Sequence, residues 1–97
     1  MEAPSFVVTL SGELDLSNVA EMRSTLAGAH GPAVVDLSEV TYLDSTALYE
    51  LGALRKRVGN VVLVGPSPQI RRTLEIVGYT KIFDIVGSRA EIGETAG

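Results

Sequence analysis

The sequence predicts an α/β fold: one sheet, with helices packed mainly on one of its faces. Three observations lead there. Short apolar runs of strand character alternate along the chain with segments whose apolar residues recur at helical spacing. Capping and glycine or proline signals stand at the junctions between them. The segments joining successive strands are long enough for right-handed parallel crossovers.

Phe6, Val8 and Leu10 alternate, which places a first strand over residues 5–10. "SGELDLSN" then turns at Gly12 and leaves room for a short second strand around Glu13 to Leu16. The predicted sheet is therefore mixed, with four to five strands. Asn18 and Glu21 have the spacing of a capping box, and Val19, Met22, Leu26 and Ala29 line one face of the helix that follows. "HGP" ends that helix, with Gly31 as a left-handed cap and Pro32 blocking continuation. A strand over 33–37 comes next. A helix then begins near Asp44, buries Ala47, Leu48, Leu51, Leu54 and Val58, and stops around Gly59. "NVVLVG" is a continuous apolar run, suited to a strand covered on both faces. Ser67 and Pro68 are an N-cap and first-turn proline for a helix carrying Ile70, Leu74 and Val77 inward, ended by Gly78. "KIFDIVG" is the last strand, and Ser88 with Glu91 opens a short terminal helix before a Gly/Thr/Ala tail that frays.

The chain has 97 residues, which fits one domain over 1–97. At 45% hydrophobic and 21% charged it can bury one modest core. The formal net charge of −4 disfavours nucleic acid, whose phosphates require clustered Lys and Arg. With no tryptophan and only three tyrosines and two phenylalanines, no broad base-stacking platform is available. The basic cluster Arg55-Lys56-Arg57 sits in the last turns of a helix, where it complements the helix dipole. No cysteine is present, so disulfides, thiolate metal sites and a Cys nucleophile are excluded, and the single histidine, His30, excludes a multi-His zinc site. The N-terminal run is too short for a signal peptide or membrane span, which makes the cytoplasm the expected location.

Neither a P-loop nor a dinucleotide fingerprint is present, and nothing calls for a cofactor. Ser45 has no histidine base near it in sequence and lacks the glycine pattern of a nucleophile elbow. The remaining site is Asp44-Ser45-Thr46. Asp44 reads as an N-cap, with Leu43 and Leu48 as a hydrophobic staple. Ser45 is then the first helical residue, where a phosphate would lie beside free backbone N–H groups. Local chemistry leaves both a simple cap and a modification site open.

The sequence resembles the STAS domain of bacterial anti-sigma factor antagonists over nearly its whole length. The resemblance rests on "SGELDLSN" (11–18), "VVDLSEVTYLDSTAL" (34–48) and the "VVLVG" strand with the "IRRTLEIVG" helix. In that family an Asp-Ser-Ser/Thr-Gly motif at a helix start carries a serine phosphorylated by a partner kinase. The resemblance implies a STAS-like fold and phosphorylation at Ser45, with partner contacts through Asp15, Asp44, Ser45, Thr46 and Tyr49. It implies an anti-sigma factor serine kinase of the histidine-kinase-like ATPase type and a PP2C-type phosphatase as partners. Catalysis belongs to the kinase, so the chain is expected not to be an enzyme. Ala47 stands where the family has glycine, and Tyr49 where a small residue is common. The alternative is a STAS scaffold or transporter-associated subunit in which Ser45 is only a helix residue. A small-molecule or nucleotide-binding α/β domain ranks last.

Overall fold

Alternation carries the first strand further than residue 10. In the computed structural model, which describes residues 3–92, β1 runs unbroken from Phe6 to Leu14. It is followed by α1 (Val19–Leu26), β2 (Ala33–Leu43), α2 (Ser45–Val58), β3 (Val61–Val64), α3 (Pro68–Ile76), a 3-10 turn (Tyr79–Lys81) and β4 (Asp84–Val86). Residues 90–92 begin the predicted terminal helix; the predicted tail lies outside the described residues.

The four strands form one sheet in the order β1-β2-β3-β4, and every pairing is parallel. The α/β class stands, with two corrections to its detail. No separate second strand follows Gly12, so among the described strands the sheet is parallel and not mixed. Gly12 does adopt a left-handed backbone, at φ 73°, but inside β1, where it accommodates a bulge instead of a turn. The second correction is the length of β2. The β1–β2 register slips between Thr9 and Ser11 and again between Gly12 and Glu13, each time leaving an extra residue on β2. Its core-facing residues after Ala33, Val35 and Leu37 are therefore Val40 and Leu43, spaced by three. A period of three hides a strand from any search for alternation.

Parallel strands in sequential order, joined by helical crossovers of one hand, place the crossover helices α1, α2 and α3 on the same side. The packing agrees. Met22 and Leu26 from α1, Leu48, Leu51 and Leu54 from α2, and Ile70 and Leu74 from α3 share one core with Leu10, Val35, Leu37 and Leu63 of the sheet. Fully burying each such side chain stabilises the fold by about 1.5–3 kcal/mol. The opposite face carries Val34, Val62 and Val64, covered by Ile92 from the C-terminal turn. The run "VVLV" is apolar throughout because β3 is buried on both faces.

Two helix ends differ from expectation. Asn18 precedes α1 but makes no side-chain cap; its amide turns back, accepting from the Asp15 N–H at 2.9 Å and donating to the Glu13 carbonyl at 2.6 Å. Helix α1 ends at Leu26 without a left-handed glycine, since Gly31 is not in that region. Instead the Arg57 guanidinium reaches from α2 and donates to the Leu26 and Ala29 carbonyls at 2.8 and 3.0 Å. Gly31 is required for space, because a Cβ there would stand 2.6 Å from the Val58 carbonyl oxygen. The caps at Ser67, Gly59 and Gly78 form as expected. The Glu91 carboxylate accepts from the Gly87 and Ser88 amides, the glutamate half of the expected capping box.

Asp36 is the one charged side chain buried among the described residues. It lies on the face opposite the helices. Its carboxylate accepts from the Ser38 N–H (2.9 Å) and hydroxyl (2.6 Å) and from Arg89 Nε (2.9 Å), while Arg89 Nη2 donates to the Thr9 hydroxyl (2.6 Å). Arg89 thus ties the C-terminal turn to β1 and β2. Burial alone pushes the Asp36 carboxyl up, but the Ser38 and Arg89 donors outweigh it and hold the group below its ordinary value.

Two stability predictions follow from this packing. The Tyr79 hydroxyl donates to the Leu48 carbonyl at 2.7 Å across the surface of α2, and a Cβ at Gly52 would stand 2.5 Å from that oxygen. Gly52→Ala should therefore destabilise the protein by about 1–2 kcal/mol, although alanine is the better helix former by about 1 kcal/mol. Tyr79→Phe removes the hydroxyl and costs about 1 kcal/mol. The double variant should lose less than the two added together, by about 1 kcal/mol in urea unfolding. For Asp36, a carboxyl depressed in the folded state contributes stability above its unfolded value of about 3.9, and that contribution is lost as pH falls through the folded value. Asp36→Asn should lower the melting temperature at pH 7 and flatten the acid limb of stability below about pH 4.

Candidate functional site

The expected site assembles where the C-terminal ends of β1 and β2 meet the start of α2. Asp44 is in extended conformation, with φ −96° and ψ 179°, as an N-cap requires. One carboxylate oxygen, Oδ1, accepts from the Ala47 N–H at 3.0 Å. The other, Oδ2, accepts from the Leu16 N–H, also at 3.0 Å. The Asp44 amide in turn donates to the Leu14 carbonyl at 3.1 Å. A single aspartate therefore caps the helix and fastens the loop after β1 to it.

That loop is ordered by its own side chains. Asp15 Oδ1 accepts from the Ser17 amide (2.9 Å) and hydroxyl (2.5 Å), an Asx turn. The two bonds of Asn18, to the Asp15 amide and the Glu13 carbonyl, complete this local network. Asp15 and Asp44 are thus brought to the same corner, although the Asp15 carboxylate is directed into its own loop.

Ser45 is the first residue of α2 and is exposed. Its hydroxyl makes no side-chain hydrogen bond within the described residues, since Asp44 does the capping. Thr46 is half-buried and Ala47 fully buried, so the alanine at the family's glycine position packs inward and leaves the surface unchanged. Leu43 and Leu48, the expected staple, are both in the core. Tyr49, one turn beyond Ser45, is 71% exposed. Glu50 turns toward α1, where Arg23 Nη2 meets its carboxylate at 2.8 Å. That hydrogen bond and the attendant charge attraction push the Arg23 guanidinium up further. The Glu50 charge is therefore engaged by a cation and does not stand free beside Ser45.

Two residues of this surface escape the sequence reading. Leu16 is 72% exposed although its amide is held by Asp44, and Tyr42, near the end of β2, is 47% exposed. The available signal for Leu16 is a large apolar residue inside a polar loop; Tyr42 carries none, because it lies beyond the 33–37 strand that alternation predicts. Leu16, whose amide is held by Asp44, and Tyr49, one turn along α2 from Ser45, are large exposed apolar and aromatic side chains of the tethered loop and of the helix that carries Ser45. Among the described residues there is no cluster of acids and histidines able to hold a metal ion, and no helix is long and apolar enough to cross a membrane.

Comparison with known proteins gives this arrangement a family. The family model described as "Mlab, STAS domain" matches residues 2–87. The anti-sigma-B factor antagonist of Listeria monocytogenes is 40% identical over 62 residues, which are 60% of this chain and 54% of that protein. A STAS-domain containing protein of Pseudomonas aeruginosa is 41% identical over 56 residues, covering 54% of this chain and 55% of the other. The chain thus spans about half the length of the curated relatives it matches. Among solved structures, a candidate anti-sigma factor antagonist from Thermotoga maritima superposes with a TM-score of 0.81 at 23% identity, over 93% of this chain and 86% of that one, and shows the fold. The anti-sigma factor antagonist SpoIIAA in its unphosphorylated form gives a TM-score of 0.57 at 26% identity over 77% of each chain. With the family model covering most of its length and the sheet and helices in matching order, the chain belongs to the STAS domain family, which has anti-sigma factor antagonists among its members.

Proposed function

We propose that this STAS domain is an anti-sigma factor antagonist acting as a partner switch in the cytoplasm. Unmodified, it binds an anti-sigma factor that is also a serine kinase of the histidine-kinase-like ATPase type, and so frees a sigma factor. Phosphorylation of Ser45 by that kinase ends the association, and a PP2C-type phosphatase restores it. The chain is the substrate of the transfer: the γ-phosphoryl of ATP passes to Ser45 Oγ, ADP departs, and the hydroxyl proton goes to the kinase's base.

One observation carries this reading. The residue next to Ser45 does all the capping, so the Ser45 hydroxyl is exposed and uncommitted at a helix N-terminus. A phosphate there is tolerated by the fold, because the first-turn amides and helix dipole favour an anion. It is not tolerated by an interface that closes over Leu16 and Tyr49, because about −1.5 to −2 charges would have to be stripped of water. A cost of several kcal/mol at that contact lowers affinity by about a hundredfold or more. Incubation with candidate anti-sigma kinases and ATP, followed by mass spectrometry, tests the assignment. Phosphate on Ser45 is the expected outcome; absence of modification by every kinase that binds the protein overturns it in favour of a scaffold.

Adjacent residues should then separate fold from function. Ser45→Asp should leave the melting temperature unchanged or slightly raised, by a few tenths of a kcal/mol, through the helix dipole. It should clearly weaken binding to the anti-sigma factor in calorimetry, though less than phosphate does. Asp44→Ala should do the reverse in stability. Loss of the cap and of the Leu16 tether should cost about 1–2 kcal/mol in denaturant unfolding.

A further inference from the structure

The basic cluster at the end of α2 divides its work once the chain is folded. Arg57 is spent on the carbonyls of α1. Arg55 points elsewhere: its Nε donates to the Ile82 carbonyl at 2.8 Å, across the entrance to β4. Beside that contact lies an open groove of about 480 Å³, lined by Arg55, Asn60, Lys81, Ile82, Phe83 and Asp84 among others. It is the far pole of the molecule from the Ser45 surface, about 15 Å along the axis of α2 at 1.5 Å per residue.

Three features of the groove point to a ligand. The first is charge. Neither Arg55 nor Lys81 takes part in an ion pair among the described residues. A net positive rim stands out on a chain of net charge −4. The second is preorganisation. With Nε fixed by the Ile82 carbonyl, the outer nitrogens of Arg55 form a fork suited to a carboxylate. The third is one exposed apolar side chain on a mostly polar lining: Ile82 is 44% exposed at the groove. Asp84 is the one acid on the lining, so the two cations leave it net positive.

We infer that this groove is a second recognition site, separate from the Ser45 surface, for an acidic peptide segment of a protein partner that carries apolar side chains between its carboxylates. Arg55 and Lys81 take the carboxylates, and Ile82 takes an apolar side chain. The site is independent of phosphorylation, so the domain can hold one partner here while Ser45 governs another.

The test is an amide NMR titration of the intact chain with a short synthetic peptide alternating glutamate with leucine and phenylalanine. A peptide with glutamine replacing each glutamate, and inorganic phosphate, serve as the comparison ligands. The acidic peptide should give saturable shifts at Asn60, Thr80, Lys81 and Ile82, weakened by salt and absent with the glutamine peptide. Lys81→Gln, whose side chain makes no hydrogen bond in the folded protein, should weaken binding by about tenfold, and Arg55→Gln by at least as much. Ser45→Asp should leave the titration unchanged. Absence of saturable shifts, an equal response to the glutamine peptide, or undiminished binding by a folded Lys81→Gln protein overturns the proposal. Phosphate saturating the same amides as tightly as the peptide overturns the peptide assignment and leaves a small-anion site. None of these outcomes bears on Ser45, whose reading is decided by the kinase experiment.

Discussion

The bifurcated use of the Asp44 carboxylate is the contact on which the candidate site depends. One oxygen satisfies a first-turn amide of α2 and the other holds the Leu16 amide of the loop after β1. Cap and tether are usually separate tasks. Combined in one side chain, they fix a loop and a helix start against each other and leave the next residue with no structural duty. The Ser45 hydroxyl is left free because the Asp44 carboxylate does the capping. The proposed regulation follows from that division of labour, since a residue can be modified without loss of fold only when its neighbour carries the local hydrogen bonds.

The sheet supplies the frame. Its parallel strands all end at the same pole, and the two bulges in the β1–β2 pairing let β2 run to Leu43 without breaking. This extension delivers Asp44 to the loop after β1 and keeps Leu43 in the core. It also leaves Tyr42 at the surface near Ser45. A strand ending at Leu37 would have to reach the helix by a free loop, and the site would lose its rigidity. Stiff supports under a small exposed patch are what a recognition surface requires, because little entropy is then lost on binding.

Opposite poles of the domain have opposite character. At the Ser45 end the cations are few, and Arg23 is engaged by Glu50. At the far end, Arg55 and Lys81 face an open groove. The helix dipole explains why basic residues are favoured there, but it explains Arg57 and its carbonyl partners better than it explains an Arg55 anchored to the next element. A chain of under a hundred residues thus has two surfaces that folding alone does not account for, and they lie at the two ends of α2.

By itself the sequence determined the α/β class, the order of the three main helices, most of their caps, and the placement of Asp44 and Ser45 at a helix start. These are local properties: apolar spacing within one element, a capping side chain three residues from its amide, a glycine at a helix end. Tertiary structure alone decided the rest. Whether Glu13 and Leu14 belong to a second strand depended on which neighbour they pair with, and the bulges that keep them in β1 arise only between two chain segments. The end of α1 was misread because its cap is an arginine 31 residues away. Leu16 was missed because its position is set by Asp44, 28 residues along the chain. In each case the deciding partner is distant in sequence, and a hydrogen bond across that distance has no periodicity to announce it.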